Sequence, residues 1–265
     1  ESEEALSALA HGEPLPAVDA PSVREALARL RVGGALGPPE LRDLTKMLTV
    51  ARVLRRWLGQ RKTACPALFA ACATDPTLDG VEQEVGSAFD PDGTLSDRAS
   101  PRLKELRGEY QAARGRMLSR IDELMRRYEG IVQDKFVTER EGRYVIPIRS
   151  DAHERFPGLV HATSASGATL FVEPRAVIPM GNRLKMLEAD VTREEHAVYA
   201  RLSLVLADAL PSVEAAVDAL AKADVRGASA RLAQDLRLVF PTVTEAPRID
   251  LREARHPLLV LDLPK

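Results

Sequence analysis

Two long segments of the chain carry apolar residues at helical spacing, one over about Ser100–Tyr128 and one over about Ala176–Leu210. Spacings of three, four and seven place apolar side chains on one face of a helix. Ser100 followed by Pro101 is typical of a helix start, and Pro211 predicts the end of the second helix. The predicted seams are Leu103, Leu106, Tyr110, Met117, Ile121, Leu124 and Tyr128 in the first helix, and Leu184, Leu187, Val191, Val198, Leu202 and Val205 in the second.

The sequence between these helices alternates apolar and polar residues and is rich in β-branched residues, which is typical of strands. Gly142 and Ser166–Gly167 are predicted to turn the chain between strands. A compact four-stranded module inserted between two helices follows, with a helical bundle carrying one long loop as the alternative. The predicted strands are Lys135–Thr138, Arg143–Arg149, Gly158–Thr163 and Ala168–Val172.

The first hundred residues read as short helices separated by proline and glycine. Ser22 is predicted to cap one helix, and Pro38–Pro39 to open a longer one whose apolar side includes Val53. The segment 89–93 is predicted to be a turn rather than a calcium loop, because its glycine comes too early and no glutamate closes the loop. A further helix is predicted over 212–236, before the chain changes towards strand and turn.

Composition supports a helical core, since 45% of the 265 residues are hydrophobic but only 4% are aromatic. The net charge of −2 excludes a global attraction to nucleic acid, so any binding requires a local patch. Cys65 and Cys72 are predicted to be small buried residues of a cytoplasmic protein, and no apolar run is long enough for a membrane span. The start at Glu1, without a methionine, predicts a piece of a longer protein.

Candidate catalytic chemistry is weak. Ser164, His161 and Asp151 could be drawn as a nucleophile, base and acid, but no nucleophile elbow or oxyanion loop accompanies them. The GxxxxGK[ST] pattern of a phosphate-binding loop does not occur. We therefore predict no catalytic residue, no metal site and no cofactor for this chain.

Five strings of the sequence together resemble the type-two branch of the bacterial MutS family. The most specific is SASGATLFVEP at 164–174. The others are FDPDGTLSDRAS at 89–100, RYVIPIR at 143–149, GLVH at 158–161 and ARHPLL at 254–259. The resemblance covers essentially the whole chain.

This resemblance implies a mainly α fold, with a helical core, two long antiparallel lever helices and a small inserted β-rich clamp module. The implied divisions are 1–130 for helical core and first lever, 131–175 for the clamp, 176–240 for second lever and core, and 241–265 for the start of an ATPase domain. In the full-length protein we expect ATP and Mg at that ATPase, a homodimer, and a C-terminal nuclease-like Smr domain. The fragment itself is expected neither to hydrolyse ATP nor to cut DNA.

The implied function is to grip duplex or branched DNA through its backbone, in the control of recombination. The alternatives are a structural lever with little affinity of its own, or a clamp that contacts the ribosome or its RNA during rescue of collided ribosomes. Either target would place the protein in the cytoplasm, at the nucleoid or at ribosomes.

Seven residues of the inserted module are the candidate nucleic-acid contacts. The cations would bind phosphates, and the hydroxyls would donate hydrogen bonds to the backbone. The segment from Gly130 to Arg175 contains six cations and six acids, so it has no net charge that would attract nucleic acid. The competing interpretations are solvated surface charge for the cations and turn structure for the hydroxyls. The candidates are Lys135, Arg143, Arg149 and Arg155, with Ser164, Ser166 and Thr169.

Overall fold

The protein is mainly helical with one small antiparallel sheet, as predicted, in a computed structural model that describes residues 1–245, 247–252 and 254–256. Part of the predicted tail motif, Pro257–Leu259, lies outside the described residues. Residues 247–252 form no regular strand. The helices are α1 Ser2–Ala10, α2 Arg24–Arg31, α3 Pro38–Gln60, α4 Pro66–Cys72, α5 Leu78–Ser87, α6 Pro101–Arg127, α7 Ile178–Asp208 and α8 Leu210–Leu236.

Helix starts follow local chemistry. The Ser100 hydroxyl accepts the Leu103 N–H at 3.3 Å, which caps α6 as predicted. The Glu40 carboxylate accepts the N–H of Gly37 at 2.8 Å, just ahead of the prolines that open α3. The prediction for Ser22 was wrong, because α2 begins one residue later than that cap requires, with Val23 at the cap position.

The strands are β1 Thr138–Arg140, β2 Arg143–Arg149, β3 Gly158–Thr163 and β4 Thr169–Pro174. Among the described residues they form one antiparallel sheet in the order β1-β2-β4-β3. The prediction of a first strand at Lys135–Thr138 was wrong for most of its length. Glu141 and Gly142 both have positive φ, at 51° and 71°, and they form a two-residue turn between β1 and β2. This turn places Arg140 opposite Arg143 and thereby fixes the register in which the two strands pair.

The chain divides into two compact units. The first comprises Glu1–Thr94 with the chain from Tyr199 onward, and in it α8 packs on α1, α3 and α4. Cys65 and Cys72 are buried free thiols as predicted, and burial raises the pKa of both. Val53 is 48% exposed, against prediction, since it lies off the face that buries the leucines of α3.

The second unit comprises Leu95–Val198, and its core joins the two long helices to the sheet. Two ion pairs between α6 and α7 fit an antiparallel arrangement of these helices. Arg107 pairs with Glu195 at 2.7 Å, whereas Glu109, which is later in α6, pairs with Arg183, which is earlier in α7, at 3.0 Å. The predicted seams supply much of the packing. The core is Leu106, Ala113, Met117, Ile121, Leu124, Ile146, Ile148, Phe156, Val172, Val177, Leu184 and Leu187.

Gly158, at the start of β3, provides a test of this packing. A Cβ there would lie 2.4 Å from Val172 Cγ1 and 2.6 Å from the Glu173 carbonyl oxygen. We expect Gly158→Ala to lower the free energy of unfolding by about 2 kcal/mol, since backbone must move to relieve the overlap. Urea denaturation would measure the loss. Gly130→Ala is the matched control, because nothing lies within 4 Å of its Cβ; equal stability of the two variants would contradict the packing described.

Candidate nucleic-acid interface

The predicted hydroxyl contacts lie in the turn between β3 and β4. The Ser164 hydroxyl accepts the Thr169 N–H at 3.1 Å, and the Ser164 N–H donates to the Thr169 carbonyl at 2.9 Å. Gly167, at a φ of 72°, donates its N–H to the Ser164 carbonyl at 2.9 Å. Ser164 therefore stabilises the turn itself. Ser166 is exposed, and its hydroxyl lies 3.4 Å from that of Ser164.

Arg143 and Arg149 occupy the two ends of β2, an even number of residues apart, so they lie on one face of the strand. Arg149 donates to both carboxylate oxygens of Asp151, at 3.1 and 2.6 Å, and these bonds lower the pKa of Asp151. Arg143 donates to Asn182 Oδ1 at 2.8 Å and lies 3.5 Å from Glu173 Oε1. Both predicted phosphate ligands thus already have partners within the protein.

Lys135 and Arg155 differ in how far their charge is compensated. Lys135 is exposed but pairs with Glu129, and this contact lowers the pKa of the Glu129 carboxyl. Arg155 ends a short 3₁₀ helix over Ser150–Arg155, is exposed, and forms no ion pair in the part of the chain that the structure describes. Of the four predicted cations, Arg155 is the best placed to meet a phosphate.

Arg140 is an exposed cation that sequence reasoning did not single out. It ends β1, and its guanidinium carbon lies 4.8 Å from the centre of the Phe171 ring on β4. No acidic side chain pairs with Arg140 among the described residues. Arg140 Nη1 donates to the Glu139 carbonyl at 3.3 Å, and the remaining N–H groups of the stacked guanidinium can donate to a phosphate. Only the strand register brings these two residues together, so spacing along the chain carried no signal for them.

Glu173 forms a buried charge cluster that sequence reasoning also missed. Its side chain is 4% exposed, and Oε2 lies 2.8 Å from His161 Nε2 while Oε1 faces Arg143. His161 is the extra residue at a register shift in β3 between Val160 and Ala162. Gly181 leaves room, since a Cβ there would lie 3.4 Å from Glu173 Oε1. The sequence signal for this cluster was Glu173 itself, a glutamate in a strand of mostly apolar residues. Nothing in the sequence identified its partners, His161 and Arg143.

The trio considered for catalysis is not assembled. Asp151 pairs with Arg149, and the His161 ring bonds to Glu173. The Ser164 hydroxyl serves the turn. The described residues also contain no group of three or more His, Cys, Asp or Glu side chains that could hold a metal ion.

No described helix is both long and apolar enough to cross a membrane.

Comparison with known proteins yields three informative relatives, each called Endonuclease MutS2. The one from Pelotomaculum thermopropionicum is 34% identical over 239 residues, covering 89% of this chain and 30% of the relative. That from Symbiobacterium thermophilum is 33% identical over 260 residues, covering 98% and 33%. That from Thermomicrobium roseum is 35% identical over 251 residues, covering 89% and 32%. No family model matches the chain.

These matches extend over nearly all of the chain, including the strands and both long helices, and they identify a MutS-like protein. Within that family the chain belongs to the MutS2 group, as the resemblance of its motifs predicted. The chain spans about a third of the length of the curated relatives it matches.

The buried carboxylate of Glu173 supplies a test of the sheet. We expect Glu173→Ala to reduce the free energy of unfolding by about 2 kcal/mol, because it leaves two cationic or polar partners without their acceptor. Glu173→Gln should cost less, since its amide can still accept from Arg143 and donate to His161. Thermal or urea unfolding would rank these variants against Glu154→Ala, an exposed control. A loss no larger than that of the control would show that the cluster contributes nothing to stability.

Proposed function

We propose that this chain is the core, lever and clamp region of a MutS2-type protein and that it grips duplex or branched DNA through the phosphate backbone. The observation that carries the proposal is that two exposed arginines form no ion pair among the described residues: Arg140 at the end of β1, and Arg155 in the 3₁₀ helix between β2 and β3. The similarity to proteins called Endonuclease MutS2 supports DNA as the target.

In this proposal the clamp is the segment 131–175 and the levers are α6 and α7. The helical remainder up to residue 240 is the core, and 241–265 begins an ATPase domain. The full-length protein would bind ATP and Mg there, form a homodimer, and carry a nuclease-like domain. These properties follow from the family resemblance and extend to parts of the protein beyond this chain.

Backbone contact fits the residues better than reading of base edges. Stacking on Phe171 restrains the Arg140 guanidinium before binding, so less conformational entropy is lost when a phosphate is bound. Arg155 needs to break no ion pair within the described residues. By contrast, Arg149 would have to leave Asp151, and Arg143 would leave the partly buried Glu173 cluster. Two cations of this kind provide weak binding that salt readily screens.

A structural lever is the second candidate, and the pairing of Arg143 and Arg149 favours it. These arginines stabilise the sheet instead of offering charge to a ligand. In that case the helices and the sheet would transmit the nucleotide state of the ATPase domain, and the chain itself would bind nucleic acid only weakly. Contact with the ribosome remains a prediction of the resemblance, and co-sedimentation of the intact protein with ribosomes would test it.

Fluorescence anisotropy with a labelled four-way junction, matched duplex and single strand would test DNA binding. We expect Arg140→Ala with Arg155→Ala to weaken junction binding roughly tenfold at low salt, and to reduce the slope of log K against log salt by about 2, because two phosphate contacts are lost. The preference among DNA sequences should not change.

Arg24→Ala with Arg56→Ala is the control, since both are exposed arginines on the first unit and the net charge changes equally. Equal weakening by both double variants would show that the effect depends on net charge alone, and would contradict the assignment of Arg140 and Arg155 as phosphate contacts. Absence of binding by the parent chain to all three DNAs would favour the lever candidate.

A further inference from the structure

The second half of α6 is basic, unlike the chain as a whole. Residues 111–127 contain five arginines and two acids, whereas the 265-residue chain has a net charge of −2. The other long helix of the second unit, α7, contains four cations and five acids. The basic excess is therefore a property of this part of α6. Its arginines are Arg114, Arg116, Arg120, Arg126 and Arg127, and its acids are Asp122 and Glu123.

Three of these arginines, here called the α6 stripe, lie on one flank of the helix: Arg116, Arg120 and Arg127. Their spacings of four and seven residues place side chains on the same side of a helix. Arg116 and Arg127 are exposed and form no ion pair among the described residues. Arg120 pairs with Glu123 at 2.6 Å, but the two side chains are 41% and 63% exposed, and such a surface pair contributes little. A ligand can therefore take up the charge of the α6 stripe at small cost.

The residues beside the α6 stripe are small. Ala112, Gly115 and Ser119 are exposed, and their spacings of three and four place them on one side of the helix. A Cβ added at Gly115 would have no atom within 4 Å. These short side chains leave room for a bulky partner to approach the helix next to the arginines.

The end of the α6 stripe is connected to Arg155 through two aromatic rings. The Arg127 guanidinium carbon lies 5.7 Å from the centre of the Tyr128 ring. That ring meets the Phe156 ring edge-on, with 5.0 Å between their centres. Phe156 directly follows Arg155, the last residue of the 3₁₀ helix. The α6 stripe therefore ends next to a cation that already belongs to the proposed DNA contact.

We propose that the α6 stripe binds the phosphate backbone of a nucleic-acid duplex and extends the contact made by Arg155 along the helix. The inference rests on the proposed function, to which it adds contacts outside the clamp segment 131–175. Arg116 and Arg127 are eleven residues apart, which corresponds to about 16 Å along a helix. About five phosphates of one strand occupy that length of a duplex. Arginine suits this ligand, because its planar guanidinium can bind one phosphate through two parallel N–H donors.

The surface of α6 favours nucleic acid over a protein or a membrane as the partner. In α6, all of which the structure describes, no large apolar side chain is exposed. Protein interfaces have apolar and aromatic residues at their centre, whereas interfaces with DNA are polar and strongly positive. A helix that lies in a membrane surface inserts its apolar face, but in α6 that face is buried in the core through Met117, Ile121 and Leu124. A line of phosphates is the partner that matches the α6 stripe.

Replacement of the three arginines tests the proposal. We expect the triple variant Arg116→Ala, Arg120→Ala and Arg127→Ala to bind a labelled duplex roughly tenfold more weakly than the parent chain at low salt, because three phosphate contacts are lost. The slope of log K against log salt should fall by about 3. Fluorescence anisotropy measures both quantities. DNA and RNA duplexes of equal length identify the source of the phosphates, and the loss should appear with whichever duplex the parent chain binds.

The matched control removes three exposed arginines from the first unit, and therefore changes the net charge equally. It combines Arg24→Ala, Arg56→Ala and Arg231→Ala. Circular dichroism verifies that both triple variants keep their helical content.

An acid introduced beside the α6 stripe provides a second test that keeps every arginine. Ser119→Glu places a carboxylate three residues after Arg116, where it repels a phosphate and competes for the arginine. We expect it to weaken duplex binding roughly threefold. Ser229→Glu, at an exposed position of α8, is the matched control and should leave the affinity unchanged. Equal affinities of these two variants would contradict the proposal.

The results separate this inference from the function on which it rests. If the parent chain binds and the triple variant loses no more affinity than its control, the α6 stripe is not a phosphate contact, although the proposed function stands. If the parent chain binds neither duplex, both are overturned. A loss with the triple variant but not with Arg140→Ala and Arg155→Ala would support the α6 stripe and contradict the clamp contacts. Displacement of the duplex by polyglutamate of equal charge would indicate a site for acidic chains in general, and would overturn nucleic acid as the partner.

Discussion

The buried carboxylate of Glu173 is the interaction on which the second unit depends most. A desolvated carboxylate is costly unless charged or polar donors surround it. His161 reaches it from a β-bulge in β3, Arg143 from the start of β2, and Gly181 leaves space at the beginning of α7. One side chain on β4 thereby specifies the register of two neighbouring strands and the approach of a helix. A polar cluster inside a small apolar sheet favours one arrangement over slipped alternatives.

The same cluster shapes the charge that the sheet can offer to a partner. Arg143 is committed to the interior, and Arg149 is held by Asp151, although both were predicted as phosphate ligands. Within the segment 131–175, the arginines that form no ion pair among the described residues are Arg140, Arg155 and Arg175. Balanced formal charge over this segment therefore does not mean that every cation in it is paired. Affinity would rest on few contacts, which is consistent with assistance from the rest of a longer protein.

The long-range features of the sheet lay beyond sequence reasoning, whereas the local ones did not. Helical periodicity located α6 and α7, and the Ser100 cap followed from residue type and position alone. Three of four strands were placed within two residues. The first strand was misplaced because its register follows from positive φ at Glu141, a non-glycine residue. The contacts of His161 with Glu173 and of Arg140 with Phe171 depend on strand pairing, which no spacing reveals.

The distinctive string at 164–174 is explained mainly by the architecture it builds. Ser164 and Gly167 close the turn, Phe171 supports an arginine from β1, Glu173 holds the buried cluster, and Pro174 occupies a position that requires no N–H. Each of these roles is met within the protein itself. The residues that specify the motif are thus not the ones with free capacity to bind a ligand. This division supports phosphate contact by Arg140, which lies beside the motif and whose guanidinium Phe171 holds in position.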